Sequence, residues 1–295
     1  MAGAFAARRQ DAVRIGTCFT ACDLNSFYYR FFPFYRRAWR EVANVSAKLI
    51  LVAHEIPLEI REFANDITLF PPIERIHTAF QAQCIRLLGP ALLPAENGAV
   101  LISDIDMVPL NSTYYISNIA NVRDDAFVVY RSNALPDCLQ FAVCYNAALP
   151  STWSELFGGI RSEHDVRVRL RQWWSRWSQY DGQPGSDGWF ADQTILFEQV
   201  MEWRTFRGSD RIVLLDDEVT GFKRLDRLLG EKVLARLPGR FRRDIRAGRY
   251  SDYHLLRPPD QYAEINEGII SLAIAGQRAH GVIISMLSRF RRAWF

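Results

Sequence analysis

Apolar strand-like runs alternate with amphipathic helical segments along the first ~110 residues. Four segments have the apolar, β-branched composition of buried strands. These are residues 12–21, 47–56, 66–70 and 98–106. A helix is predicted after the first strand, with Pro33 kinking or dividing it, and a second over 73–93, ending near Gly89-Pro90. This alternation predicts a parallel sheet with right-handed crossovers.

The pattern changes after a soft boundary near residue 120. Segments 125–132, 139–150 and 211–219 read as strands, while 165–180 and 191–203 have helical spacing. A loop containing glycine and proline, residues 181–188, is predicted between the two helices. The predicted fold class is therefore α/β, with a parallel half followed by a mixed half.

Composition and charge narrow the classes of function. The chain has 295 residues, of which 49% are apolar and 23% charged, as in a globular protein of one large domain or two small ones. Net charge is only +3, and the basic clusters at 239–249 and 289–292 are short. A solvated or anion-contacting surface is favoured over a nucleic-acid site, which needs a concentrated basic face.

Cysteine usage and hydropathy predict a location. Five cysteines with no pairing or zinc-type pattern favour free thiols in a reducing compartment, and no run approaches the ~20 apolar residues of a membrane span. No signal peptide is apparent at the N-terminus. We expect a cytoplasmic protein whose last segment, 281–295, packs on the body as a helix. Peripheral contact between the basic C-terminus and a membrane is the alternative.

Two carboxylates stand where the strand "VLISDIDMVPL" (100–110) ends. Asp104 and Asp106 are two residues apart, so on a strand they face the same side, at the edge where α/β sheets bind ligands. Their mutual repulsion would be relieved by Mg²⁺ or Mn²⁺, which prefer oxygen ligands and could carry a diphosphate. A solvated strand end with an aspartate capping the next turn is the structural alternative, and the residues alone leave both open.

The run from Ile76 to Tyr115 resembles the centre of GT-A-type glycosyltransferases, in which a helix carrying a basic residue precedes an apolar strand that ends in D-x-D. Weaker similarity extends to "IGTCFTACDLN" (15–25), "CYNAALPSTWSELFGG" (144–159), "GWFADQTILF" (188–197) and "DYHLLRP" (252–258), in the family's order. The resemblance implies a single GT-A-like, Rossmann-type domain that uses a nucleotide sugar.

The resemblance also implies a donor site. The protein would transfer a sugar from a UDP or GDP sugar to an acceptor hydroxyl, such as that of a glycan. Asp104, Asp106 and His254 would be the metal ligands. Because imidazole suits Mn²⁺ better than Mg²⁺, Mn²⁺ is the first choice. Thr20, Ala21 and Asp23 would face the nucleoside. Arg86 would reach the nucleotide sugar, and Asp104 would contact the ribose or the metal.

Catalytic and acceptor residues follow from the same resemblance. An inverting transfer, which we favour, needs a general base, and Asp192 is the first candidate and Asp187 the second. A plain helix N-cap is the alternative role for Asp192. A retaining enzyme would need no base there. Tyr145, Asn146 and Trp153 would shape the acceptor pocket, since indole rings stack on sugars and amides bond to hydroxyls.

The resemblance divides the chain into an N-terminal tail (1–12), a nucleotide-sugar-binding half (13–120), an acceptor-binding and catalytic half (121–265) and a C-terminal helical segment (266–295). Two other functions stay open: a nucleotidyl or phosphoryl transferase, and a non-catalytic carbohydrate-binding protein. The first is disfavoured because no glycine-rich phosphate loop is present. The sequence leaves the sugar, the base, the acceptor and the oligomeric state undetermined.

Overall fold

The computed structural model describes residues 13–229, 234 and 236–292, and the side chains of that range up to residue 279. The predicted N-terminal tail, 1–12, lies outside the described residues, as do 293–295.

Strands in the described part form two sheets. The strands are β1 (Ile15–Asp23), β2 (Ser46–Val52), β3 (Ile67–Phe70), β4 (Ala99–Ile102), β5 (Met107–Pro109), β6 (Phe127–Val129), β7 (Asn146–Ala148), β8 (Ile212–Leu214), β9 (Arg224–Leu225) and β10 (Asp252–His254). Seven make the central sheet in the order β3-β2-β1-β4-β7-β6-β8, and β7 alone is antiparallel to its neighbours. The small sheet has the order β5-β10-β9, with β10 antiparallel to β5.

Helices flank the central sheet. They are α1 (Ser26–Tyr29), α2 (Phe32–Val42), α3 (Thr78–Leu88), α4 (Ser112–Ser117), α5 (Pro150–Leu156), α6 (Glu163–Trp174), α7 (Ala191–Arg207), α8 (Asp217–Thr220), α9 (Gly239–Arg246) and α10 (Ala263–Arg292). Short 3₁₀ segments cover Leu58–Asp66, Gly89–Leu92, Ala95–Asn97, Ser209–Arg211 and Arg227–Leu229. The predicted α/β class with a mostly parallel sheet is confirmed.

Side chains of the central strands alternate between two cores. On β1, Cys18 and Cys22 face the core that contains α2 and α10, whereas Phe19 and Ala21 face the core under α3 and α7. The same alternation holds for Leu101 and Ile102 of β4. Since both faces are covered, the strands read as continuous apolar runs, which is the signal that made them predictable.

Several predicted boundaries differ from the observed ones. Pro33 lies in the first turn of α2 and separates it from α1, as one of the two predicted outcomes. The helix predicted from residue 73 begins at Thr78, because the buried Gln81 side chain bonds to the main chain of Ile73 and Ile76 and holds that segment as a loop. The strand predicted over 98–106 ends at Ile102.

The second half of the chain has shorter elements than predicted. Strands β6, β7 and β8 have three residues each, and α6 ends at Trp174. All five cysteines are free, as predicted. No helix, over the part of the chain described, is long and apolar enough to span a bilayer. The start of α10 packs on the body through Ile270 and Ile274, and the side chains beyond 279 are outside the description.

Candidate active site

A cavity of about 730 Å³ opens beyond the carboxyl ends of β1 and β4. This edge of an α/β sheet is where ligands bind, and the volume suits a small-molecule site. The acidic and basic side chains that line it, among the residues described, are four aspartates, three arginines and one histidine. They are Asp23, Asp104, Asp106, Asp192, Arg86, Arg227, Arg257 and His254.

A tight turn after β4 presents the carboxylate pair. Met107 N donates to Asp104 O at 3.1 Å, so the chain reverses directly into β5. Met107 lies opposite His254 in the antiparallel pairing of β5 with β10, and Leu255 N donates to Asp106 O at 2.9 Å. The small sheet therefore brings His254 beside Asp106 although 148 residues separate them in the chain.

Asp106 is buried, and its carboxylate meets one histidine and two arginines. Its Oδ2 accepts hydrogen bonds from His254 Nε2 at 3.1 Å, from Arg227 Nη1 at 3.3 Å and from Arg257 Nη2. Burial acts to raise the pKa of Asp106, but the hydrogen bond from His254 and the charge of Arg257 outweigh it and hold the pKa well below its usual range. The carboxylate is therefore charged at neutral pH.

Arg86 on α3 joins two other aspartates. Its side chain is 10% exposed; Nη1 donates to Asp104 Oδ1 and Nη2 donates to Asp192 Oδ2 at 2.5 Å. Asp192 lies in the first turn of α7 and its side chain is 4% exposed. Burial raises the pKa of Asp192, and Arg86 opposes that shift. The helix N-cap is Phe190, so Asp192 is not the plain cap of the alternative prediction.

Two of the three residues predicted to face the nucleoside line the cavity, and the third does not. Ala21 and Asp23 line the cavity, and Asp23 Oδ2 accepts a hydrogen bond from Thr78 Oγ1 at 2.8 Å. Thr20 is fully buried within β1 and does not line the cavity. In a sheet covered on both sides, the Thr20 side chain is enclosed between strand and helices, so its role at the nucleoside stays a prediction that the cavity lining does not support.

The three predicted acceptor residues lie in the interior and do not line the cavity. Tyr145 OH donates to Asp252 Oδ2 at 2.9 Å, and Trp153 Nε1 donates to Val100 O at 3.1 Å. The Asn146 amide donates to main-chain carbonyls three and four residues earlier. These side chains lie on or beside a strand and a helix buried in the two cores, so the structure does not bring them to the cavity, and their acceptor role stays a prediction.

The loop 181–188 borders the cavity through Gly182, Gln183 and Pro184. Asp187 on this loop is exposed and is not among the residues that line the cavity. Of the two candidate bases, the structure brings only Asp192 to the cavity.

Arg227, Arg257 and Tyr28 line the cavity but were not singled out from the sequence. The guanidinium of Arg257 lies 4.8 Å from the centre of the Tyr28 ring, and its Nη1 donates to Tyr28 OH at 3.3 Å. Arg257 falls inside the quoted segment 252–258, so its proximity to His254 was a usable signal. Arg227 sits in an ordinary charged stretch, and only the tertiary fold distinguishes it.

The donor atoms of Asp104, Asp106 and His254 suit Mn²⁺ in type. Two neighbouring ligands of one ion, each about 2.1 Å from it, lie about 3 Å apart, and His254 Nε2 is 3.1 Å from Asp106 Oδ2. Within the described residues, no group of three His, Cys, Asp or Glu side chains is gathered closely enough to hold an ion. Arg86 bonds to Asp104 and Arg257 bonds to Asp106 instead. Asp104, Asp106 and His254 therefore suit a divalent ion in donor type, and Asp106 and His254 also in spacing, but the three are not gathered as a metal site.

No family model matches the chain, and no curated protein matches it in sequence. Similar solved structures include the galactosyltransferase LgtC in complex with donor and acceptor sugar analogs, at 14% identity and a TM-score of 0.43 over 87% of this chain and 95% of that one. The apo form of mouse xyloside xylosyltransferase 1 is 10% identical, with a TM-score of 0.38 over 81% of this chain and 96% of that one.

The bifunctional glycosyltransferase WbbM is 12% identical, with a TM-score of 0.44, over 88% of this chain and 50% of that one. These solved structures are glycosyltransferases, the class of enzyme that the central run of the sequence resembles. Identities and TM-scores this low leave the function of this chain to be argued from the residues of its cavity.

Proposed function

We propose that the chain transfers a sugar from a nucleotide-diphosphate sugar, with UDP or GDP as the nucleotide, to an acceptor hydroxyl in a metal-dependent reaction. One observation carries the proposal. Asp104 and Asp106, on the turn after β4, share a cavity with His254 and three arginines at the ligand-binding edge of the sheet. This combination suits a diphosphate that enters with a divalent cation.

The end of β1 offers a place for the nucleoside. Asp23, Asn25, Phe27 and Tyr28 line the same cavity as the carboxylate pair. Aromatic rings stack on planar bases, and a carboxylate accepts hydrogen bonds from ribose hydroxyls. The base and ribose would lie here, with the diphosphate towards Asp106.

The charge of the lining supports a cation. Four aspartates exceed three arginines by one, so the cavity without ligand has a carboxylate in excess. Asp104, Asp106 and His254 would hold Mn²⁺, with Mg²⁺ as the second choice. A bound ion would neutralise charge on the departing diphosphate.

Asp192 is the proposed general base of an inverting transfer. The acceptor oxygen would bond to the anomeric carbon, the bond from that carbon to the diphosphate oxygen would break, and the hydroxyl proton would pass to the Asp192 carboxylate. Asp192 lines the cavity, and burial raises its pKa, which makes its carboxylate a stronger proton acceptor than an exposed aspartate. Arg86 would fix its orientation.

A hydrolysis screen tests the function without knowledge of the acceptor. We expect one UDP or GDP sugar to be hydrolysed slowly with Mn²⁺ and not with EDTA, and the melting temperature to rise only when metal and nucleoside diphosphate are both present. Asp106→Ala should abolish hydrolysis, while the matched control Asp244→Asn, outside the cavity, should retain it. No response to any UDP or GDP with metal would favour a carbohydrate-binding protein without catalysis.

A further inference from the structure

The segment that contains α9 concentrates positive charge on the surface. Residues 236–249 include six arginines and one aspartate, a net charge of +5, whereas the whole chain carries +3. The other 281 residues therefore sum to −2. All six arginine side chains are exposed, and together they form the α9 basic surface. They are Arg236, Arg240, Arg242, Arg243, Arg246 and Arg249.

Helix α9 turns its apolar side chains inward and its charge outward. Phe241 and Ile245 are buried in the core that contains α2 and α10. Arg243 is two residues from each of them, so at 3.6 residues per turn it lies on the opposite side of the helix. The main chain of Arg246 lies so close to Gly276 of α10 that a Cβ there would come within 2.4 Å of Arg246 O. The arginines therefore project from a helix that is fixed to the body of the molecule.

Little negative charge opposes these arginines within the described residues. Arg249 Nη1 pairs with Asp244 Oδ1 at 3.1 Å, and the other five make no ion pair with a side chain that the structure describes. Arg242 Nε donates to Leu237 O at 3.1 Å, and the Arg240 guanidinium lies 4.9 Å from the centre of a phenylalanine ring on its own helix. Since each guanidinium has five N–H donors, most of them are free for an external anion.

A lysine extends the positive charge beyond α9. Lys223 is exposed, and its Nζ lies 5.1 Å from the centre of the Tyr250 ring. The centre of that ring is 6.4 Å from the centre of the Phe241 ring, so Lys223 borders the α9 basic surface although it precedes β9 in the chain.

We propose that the α9 basic surface binds the headgroups of an anionic phospholipid bilayer. Clusters of four to eight arginines or lysines on an amphipathic helix are typical of surfaces that bind anionic lipids. Guanidinium groups match phosphate oxygens in geometry. Because the rest of the chain is net negative, the same bilayer would repel it and orient the molecule with α9 towards the lipid. The inference does not depend on the proposed function, because no residue of the α9 basic surface lines the cavity.

Nucleic acid is the competing partner for an arginine-rich surface. Single strands bind through aromatic platforms as well as charge, but Phe241 and Tyr250, the aromatic side chains of this segment, are buried. The eight residues of α9 span only about 12 Å, so the helix would cover few phosphates of a duplex. A bilayer makes neither demand, because its headgroups diffuse laterally to the arginines. The bilayer is therefore the favoured partner.

Co-sedimentation of the full chain with lipid vesicles tests the proposal. We expect binding to phosphatidylcholine vesicles that contain about 30% phosphatidylglycerol, none to pure phosphatidylcholine, and a loss of binding as salt is raised. The triple variant Arg240→Gln, Arg243→Gln, Arg246→Gln should bind the anionic vesicles roughly 10-fold or more weakly, because each basic residue near such a surface adds to affinity. Lysine at the same three positions keeps the charge and should retain most of the binding.

A matched control removes the same charge elsewhere. Arg61→Gln, Arg171→Gln and Arg204→Gln, combined in one variant, replace three exposed arginines outside α9. This variant should bind anionic vesicles as the wild type does. Melting curves of all the variants separate loss of binding from loss of folding.

Equal binding to neutral and anionic vesicles, or no binding to either, would overturn the inference. So would a folded glutamine variant of α9 that binds as the wild type does. A control variant that loses as much binding as the α9 variant would show that net charge alone is responsible. Tighter binding of duplex DNA than of anionic vesicles, at the same salt and phosphate concentration, would assign the surface to nucleic acid instead.

Discussion

A single buried guanidinium, that of Arg86, connects two aspartates from different parts of the chain. It bonds to Asp104 on the turn after β4 and to Asp192 on α7. Removing one partner from a buried ion pair leaves an uncompensated charge, which costs more than the pair itself contributes. Substitutions here therefore need stability controls beside any kinetic readout.

Asp192→Asn tests the proposed base. We expect turnover to fall by about 10²- to 10⁴-fold while the affinity for the donor changes little, because the amide cannot accept the proton but still fills the site. The measurements are kcat, donor KM and the melting temperature. Asp187→Asn, on the exposed loop, should keep full turnover.

A collapse of donor affinity in Asp192→Asn, with turnover preserved, would make Asp192 a donor ligand instead. Loss of turnover in the Asp187 variant would point to the other candidate base. An NMR record of the anomeric configuration of the product would show directly whether transfer inverts or retains.

The sequence pointed to the aspartates of the cavity but not to the side chains that bond to them. Asp104 and Asp106 stood out because acids at the end of an apolar run are conspicuous, and Asp192 because it opens a helix after a glycine-rich loop. Tyr145, Asn146 and Trp153 were predicted at the acceptor pocket and lie in the interior, since side chains that line a pocket and side chains that fill a core have similar composition. Which arginine faces which carboxylate depends on tertiary contacts that no local pattern encodes.

At the scale of elements, Asp66 ties α2 to β2. It is the last residue of the 3₁₀ segment Leu58–Asp66, directly before β3, and its carboxylate accepts hydrogen bonds from Arg36 Nε at 2.5 Å and Lys48 Nζ at 2.8 Å. Burial acts to raise the pKa of Asp66, but these two partners lower it below its ordinary value. The pairing therefore stabilises the fold only while the carboxyl is ionised.

Asp66→Asn should lower the free energy of unfolding by about 1 kcal/mol at pH 7. The folded-state pKa is below the unfolded value of about 3.9, so this contribution is present above that pH and is lost as the pH falls through the folded-state pKa. Urea unfolding of both proteins at neutral pH and below about pH 4 measures it.

Glu198→Gln, which breaks the exposed pair with Arg176, is the control and should change stability by less than about 0.5 kcal/mol at either pH. A difference between wild type and Asp66→Asn that stays constant with pH would show that packing, and not ionisation, carries the effect.

The sequence predicted the strands and helices well where the hydrophobic pattern ran over many residues, and predicted their lengths poorly where the pattern was short. β1, β2 and α3 have runs of seven residues or more. β6, β7 and β8 have three residues each, and their ends are set by pairing with neighbours. β4 ends at Ile102 because the chain turns directly after it, through the hydrogen bond from Met107 N to Asp104 O. The apolar, β-branched composition of this segment predicts a longer strand and gives no sign of the turn.

At the scale of the whole molecule, α10 holds the far side of the cavity in place. Asn266 on this helix is fully buried; its Oδ1 accepts from Tyr253 OH at 2.7 Å and Leu256 N at 3.1 Å, and its Nδ2 donates to Leu256 O at 3.2 Å. Tyr253 and Leu256 flank the segment that carries His254 and adjoins Arg257. One amide thus links the C-terminal helix to the proposed donor site.

Asn266→Ala should lower the free energy of unfolding by about 2 kcal/mol, because it leaves buried polar groups without partners. We also expect weaker binding of nucleoside diphosphate with Mn²⁺, since His254 and Arg257 lose their support. Chemical unfolding and calorimetry measure the two effects. Arg278→Ala, an exposed residue on the same helix that pairs with Glu41, should change neither. Nucleotide affinity that stays at the wild-type value in a destabilised Asn266→Ala protein would show that α10 does not position the site.

The cluster around Asp106 has a consequence for biosynthesis. The arginines that meet this aspartate follow it by 121 and 151 residues. A ribosome must therefore translate the chain as far as Arg257 before the side of the cavity that carries Asp106 can meet both arginines. Nascent chains and products of premature stop codons that end before Arg227 would carry the β1–β4 edge without either of those arginines, and chains that end before β10 would lack His254 and Arg257, so we expect neither to consume donor during translation.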